Sequence, residues 1–137
     1  MVGTTCLELV LPAVPGSVRR ARRAAAEAVE GLNGDARVAD AVRLCVSEAV
    51  TNVVRHAYAG PTSGDVAVVV EKVDDELNVI VRDSGVGVRR SRPAAGASGH
   101  GLKIIEKLSG ESGITSRPGE GTELRMTFFL DGTRTRR

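Results

Sequence analysis

The 137-residue sequence predicts a two-layer α/β sandwich, with a mixed, mostly antiparallel sheet and three main helices on one face. Three observations lead there. Two pairs of alternating apolar and polar segments read as hairpins. Two amphipathic helical runs stand together before the first hairpin, and a short third one stands between the two hairpins. Hydrophobic residues make up 42% and charged residues 26%, a balance that supports one core and disfavours disordered and membrane classes. The length suits one domain, placed at residues 1–130, with 131–137 as a basic flexible tail.

The elements run in order. Thr5–Leu11 alternates, with Leu7, Leu9 and Leu11 on one face, and predicts a strand that Pro12 and Pro15 end. Ser17 is then placed to cap a helix whose apolar positions are Val18, Ala21, Ala25, Ala28, Val29 and Leu32. Asn33-Gly34 breaks it, and Asp35 caps a second helix reaching about Ala57. That helix carries a stripe of Val38, Ala41, Val42, Cys45, Ala49 and Val53. After a Gly60–Gly64 loop, Val66–Lys72 and Glu76–Arg82 pair across Asp74-Asp75. Asp83–Ser98 has no periodicity and three glycines, and a loop of this length inside a domain is usually functional. Gly101–Leu108 predicts a short helix burying Leu102, Ile105 and Leu108. Glu111–Ser116 and Thr122–Leu130 then close the chain as a hairpin.

Composition excludes several functions. Net charge is +2, and the tail Asp131–Arg137 carries all of it, leaving a body with 16 charges of each sign. A neutral body argues against a duplex-DNA binder, whose affinity rests on neutralising phosphates. Tyr58, Phe128 and Phe129 are the only aromatics, too few for base-stacking platforms. No run is long enough to span a membrane, and no signal peptide opens the chain. Cys6 and Cys45 do not have zinc or CxxC spacing, and as two free thiols they point to the cytoplasm. Arg19, Arg20, Arg22 and Arg23 form a local basic cluster: either a solvated helix face or a docking surface for an acidic partner.

Three segments could carry chemistry. Glu48 and Asn52 lie four residues apart, so they share one helix face beside the apolar stripe. A carboxylate there can take a proton, and a carboxamide oxygen can hold a hard cation. Asp83-Ser84-Gly85-Val86-Gly87 leaves a strand into a glycine turn, where an Asp can accept from an exocyclic amine and glycine lets backbone approach a planar ligand. Ser98-Gly99-His100-Gly101-Leu102 opens a helix, whose free amides suit phosphate. Each also has a plain reading: a hydrogen-bonded surface pair, an Asx turn, a helix start. There is no GxxxxGK[ST] loop, and Gly99-His100-Gly101 lacks the strand and third glycine of a dinucleotide fold.

In this order and spacing the three segments resemble the Bergerat-fold (GHKL) ATPases. Glu48…Asn52 looks like the N box, Asp83-x-Gly85-x-Gly87 like the G1 box, Gly99-x-Gly101-Leu102 like the G2 box, and Gly121-Thr122 like the closing Gly-Thr motif. SEAVTNVVRHAY and LPAVPGSVRRARR are similar to the bacterial anti-sigma-factor serine kinases, over about residues 5 to 130.

The resemblance implies ATP and Mg²⁺ as ligands. Asp83 would contact the adenine amine, supported by Thr122, and Asn52 would hold Mg²⁺. The segment Gly99, His100, Gly101 and Leu102 would wrap the phosphates under a lid at Ser84–Ser98, and Glu48 would be the general base toward a partner's serine. It also implies a homodimer, with a sigma factor and an anti-anti-sigma protein as partners, meeting a surface near Arg19, Arg20 and Arg23, and no direct nucleic-acid or membrane contact. Arg89, Arg90 and Arg92 are candidates for the γ-phosphate. The lid between Gly87 and Gly99 departs from the family in lacking an identifiable phosphate clamp. That keeps a second reading open, a nucleotide-dependent protein-binding switch with little or no transfer. Histidine-kinase catalytic domains and topoisomerase-type ATPases share these boxes but need further domains, which a 137-residue chain does not accommodate.

Overall fold

Alternation along the strands decides the architecture. In the computed structural model, which describes residues 3–58, 64–85, 103–117 and 121–133, five strands form one sheet in the order β1-β2-β3-β5-β4. They are β1 (Thr4–Pro12), β2 (Asp65–Val73), β3 (Glu76–Asp83), β4 (Glu111–Arg117) and β5 (Gly121–Phe129). All four pairings are antiparallel, so the expected mostly antiparallel sheet contains no parallel pair among the described residues.

One face of the sheet is apolar. Leu11, Val66, Val68, Val70, Leu77, Val79, Val81, Leu124, Met126 and Phe128 alternate onto it, and all are buried. At roughly 1.5–3 kcal/mol for each large side chain withdrawn from water, this face supplies the main driving force for folding. β2 and β3 meet at Asp74-Asp75, where Asp74 takes the left-handed conformation (φ 56°) that Asp tolerates in tight turns.

The helices α1 (Gly16–Gly31) and α2 (Ala36–Asn52) cover that face. Helix α1 lies over β1 and β2, α2 over β3 and β5, and the two pack along each other. Ala21 and Ala25 of α1 are fully buried. The break at Asn33-Gly34 is as expected, with Asn33 left-handed (φ 60°) and its N–H donating to the Glu30 carbonyl at 3.0 Å. Asp35 caps α2, its carboxylate accepting from the Arg37 N–H at 2.8 Å. The Arg37 guanidinium, hydrogen-bonded to the same carboxylate, holds Asp35 below the usual carboxylate range.

Three expectations need correction. Ser17 does not cap α1: Pro15 occupies that position, and the Ser17 hydroxyl, buried, donates back to the Pro12 carbonyl at 2.6 Å. The hydroxyl is a second donor to that carbonyl, which also accepts from the Val14 N–H at 2.8 Å, and it does not reach the helix amides. Second, α2 buries more than one stripe. Ala39, Val46 and Val50 are also inside, because the helix has the sheet on one side and α1 on another. Third, the second helix is not α-helical to Ala57. After Asn52 it widens into a π-helical turn, Val53–Ala57. A third helical stretch, α3, occupies residues 103–108 and buries Ile105.

Candidate functional site

The site is built from the end of α2, the turn after β3 and the start of β5. Along α2 and the π turn, Ala49, Val53 and Ala57 form a buried column, every fourth residue. Glu48, Asn52 and His56 form the adjoining column, each one residue earlier and partly exposed. The buried column anchors the helix, and the polar one is therefore held at the rim of the core. Neither the Glu48 carboxylate nor the Asn52 carboxamide has a hydrogen-bond partner among the described residues, so their oxygens are open to a ligand. Nε2 of His56 is buried without a partner among the described residues. One turn before Glu48, Cys45 is buried, and burial with the nearby Glu48 charge pushes its thiol up to about 12. That thiol is inert as a nucleophile.

Asp83 ends β3 opposite Val66 on one side and Thr122 on the other. Because Val81 and Leu124 face the helices, the two-residue period puts Asp83 and Thr122 on the helix side as well. The Asp83 carboxylate accepts from the Gly85 N–H at 2.8 Å and from the backbone N–H of Thr122. Burial pushes its pKa above the usual value, against the lowering effect of those two amides. An ionised carboxylate has about four lone-pair sites, so two remain for a donor such as an exocyclic amine.

Two glycines make this turn possible. A Cβ on Gly85 would overlap the carbonyl of Ala57, so only glycine lets the turn sit directly on the end of the π-helical segment. Gly121 is left-handed (φ 90°), and a Cβ there would overlap the Asp83 carbonyl and the Cα of Ser84. The Gly121-Thr122 pair thus packs against the Asp83 turn in space, as its motif implies. Tyr58 supplies a further tie that sequence reasoning missed. Its hydroxyl donates to the Asp65 carbonyl at 2.6 Å and accepts from the Ser84 N–H at 3.0 Å, with the ring lying over Gly64. The available signal was a lone tyrosine directly after the Glu48–Asn52 helix in a chain with almost no aromatics.

The structure therefore brings Glu48, Asn52, Asp83, Gly85 and Thr122 to one end of the sandwich. Gly87, Gly99, His100, Gly101 and Leu102 lie outside the described residues, as do Arg89, Arg90 and Arg92. On the far side of the same sheet end a cleft of about 510 Å³ is lined by Val10, Arg82, Asp83, Thr115 and Glu123, among others, and includes neither Glu48 nor Asn52. Arg19, Arg22 and Arg23 line a separate cleft of about 490 Å³ with Glu27, Glu30 and Arg43, at the junction of α1 and α2. Arg20 is exposed on α1 but is not part of that lining.

Residues 11–128 match the histidine kinase-like ATPase domain family. Among curated relatives, the chain is 34% identical over 103 residues to an anti-sigma F factor of Shouchella clausii, covering 68% of this chain and 70% of the relative. It is 36% identical over 104 residues to the anti-sigma F factor of Pasteuria penetrans, covering 68% and 69%. It is 31% identical over 99 residues to that of Bacillus subtilis, covering 65% and 68%. Among solved structures it is similar to the RsbU and RsbW domains of Rv1364c from Mycobacterium tuberculosis, with a TM-score of 0.73 and 25% identity over 95% of this chain. It spans 33% of that longer chain. The match across nearly the whole sandwich, together with these relatives, places the chain in the histidine kinase-like ATPase family, among its anti-sigma factors.

Proposed function

We propose that the protein is an ATP-binding anti-sigma regulatory factor, which sequesters a sigma factor and phosphorylates a serine on an anti-anti-sigma partner. The observation that carries this reading is the pair of open oxygen donors, Glu48 and Asn52, on the helix that ends against the Asp83 turn. Phosphoryl transfer depends mostly on positioning and charge neutralisation, so it needs few side chains. Asp83, kept rigid by the Gly85 and Thr122 amides, would accept from the adenine amine. Asn52 would hold Mg²⁺ through its carboxamide oxygen, the cation supplying charge neutralisation at the phosphates when bound. Glu48, half-buried and with no cation partner among the described residues, would take the proton from the incoming serine hydroxyl. The serine oxygen then bonds to the γ-phosphorus, the bond to the bridging oxygen breaks, and ADP departs.

The sigma factor enters as a partner through the relatives' naming as anti-sigma F factors, and the serine-bearing antagonist through the resemblance to the anti-sigma-factor serine kinases. We assign their docking to the basic face of α1, with Arg19 and Arg23 at the cleft and Arg20 exposed beside it. The working form is a homodimer. Incubation with labelled ATP and a serine-bearing antagonist tests the transfer. A labelled serine is expected, and its absence at saturating ATP refutes the kinase half. Charge reversal of Arg20 and Arg23 is expected to weaken partner binding without altering nucleotide affinity.

A second reading is favoured by the Gly87–Gly99 sequence, which offers no identifiable phosphate clamp. In it the protein binds its partner in a nucleotide-dependent way without transfer. Partner affinity measured with ATP, with ADP and without nucleotide separates the two, since only the first requires turnover.

A further inference from the structure

Besides the Gly85 and Thr122 amides on the Asp83 carboxylate, three contacts hold the turn that carries it, and they differ in kind. Gly85 rests on the Ala57 carbonyl and Gly121 rests on the Asp83 carbonyl, both backbone on backbone. The third comes from a side chain: Tyr58 receives the Ser84 N–H at 3.0 Å and gives its own proton to the Asp65 carbonyl at 2.6 Å. A hydroxyl that accepts once and donates once is polarised by both bonds, so each reinforces the other. Tyr58 directly follows the π turn, so this one oxygen joins three parts: the end of the helix bearing Glu48 and Asn52, the first residue of β2, and the residue after Asp83. The ring packs over Gly64, where any Cβ would strike it.

A hydrogen bond to a base edge is selective only if the acceptor stays fixed. A carboxylate free to turn aside accommodates a carbonyl as readily as an amine, through an intervening water. A held carboxylate favours the amine and repels the lone pairs of a carbonyl oxygen at the same place. We infer that Tyr58 is a positioning residue for base selection, fixing Asp83 so that the site discriminates an amino-bearing purine from a keto purine. This rests on the adenine-reading role proposed above for Asp83. Tyr58 itself need not touch the base.

The test is Tyr58→Phe, which keeps the ring over Gly64 and removes only the hydroxyl. Calorimetry compares ADP with inosine diphosphate, which carries a carbonyl in place of the adenine amine, and amide exchange is followed at Ser84. Both freed backbone groups are solvent-accessible, so water replaces the lost bonds and the melting temperature is expected to fall by less than about 5 °C. The preference for ADP is expected to shrink about tenfold, the size of one hydrogen bond to a charged group, and Ser84 to exchange faster. Unchanged selectivity in Tyr58→Phe, with wild type still preferring ADP, overturns the inference alone. Failure of wild type to prefer ADP overturns the proposed role of Asp83. An equal loss for both nucleotides also overturns the inference, since that marks a structural role.

Discussion

Replacing Gly121 with alanine probes how tightly the neighbouring strands β3 and β5 are fitted at the Asp83 turn. Gly121 is left-handed, which costs an L-residue about 1–2 kcal/mol. The added methyl would meet the Asp83 carbonyl and the Ser84 Cα, backbone atoms that no rotamer change can move away. Overpacking of that kind typically costs about 1–3 kcal/mol. Together these predict a loss of about 2–5 kcal/mol, a large share of the roughly 5–15 kcal/mol by which domains are stable. Because β5 would be pushed off the strand that carries Asp83, nucleotide affinity should fall along with stability. Gly31→Ala is the matched control. It sits at the end of α1 with no atom within 4 Å, so alanine should stabilise by about 0.5–1 kcal/mol. Equilibrium urea unfolding measures both, with ADP calorimetry beside it. A Gly121→Ala protein within about 0.5 kcal/mol of wild type, binding ADP normally, would refute the close fit.

Further outcomes are expected elsewhere. Glu48→Ala should leave ADP affinity within about twofold and slow serine transfer by about 10²-fold or more, the usual worth of a general base, as a single-turnover assay would read. Asp83→Asn should lose most ADP binding, since an amide offers fewer acceptor sites to the amine and its NH₂ opposes the Gly85 and Thr122 amides. The same pair reports on pH. Burial raises the folded pKa of Asp83, so its contribution to stability is full below the unfolded pKa, about 3.9, and is lost as pH rises through the folded one. Wild type should therefore lose stability relative to Asp83→Asn across that window, and an opposite trend in urea midpoints would contradict the burial. Ser17→Ala should cost about 0.5–1.5 kcal/mol, since the Pro12 carbonyl loses its second donor but keeps the Val14 N–H, which thermal denaturation would show.

The elements whose burial is set by one neighbour were legible in the sequence. Leu7, Leu9 and Leu11 mark β1, and Leu124, Met126 and Phe128 mark the helix-facing side of β5, although Thr127 and Phe129 on its other side are buried as well. Asp35 was legible as a cap because its partner lies two residues away. Ala39, Val46 and Val50 were not, since a helix pressed between a sheet and another helix buries parts of both flanks and blurs its stripe. Glu48 and Asn52 stand out only in company with the Asp83 and Gly99 segments, since their spacing alone also fits a surface pair. Tyr58 does not: its partners Asp65 and Ser84 are brought to it by the pairing of β2 with β3.

The π turn after Asn52 also fixes the phase of everything beyond it. Removing one residue from a helical run rotates the downstream residues by about 100° about the axis. Deleting one residue from Val53–Ala57 would restore a regular α-helix, a better helix by its own hydrogen bonds. It would also swing the Ala57 carbonyl away from Gly85 and Tyr58 away from Asp65 and Ser84. The irregular turn acts as a spacer that indexes the helix carrying Glu48 and Asn52 to the strand carrying Asp83. Insertions and deletions are therefore tolerated least in a stretch where the sequence itself shows only an unbroken helix.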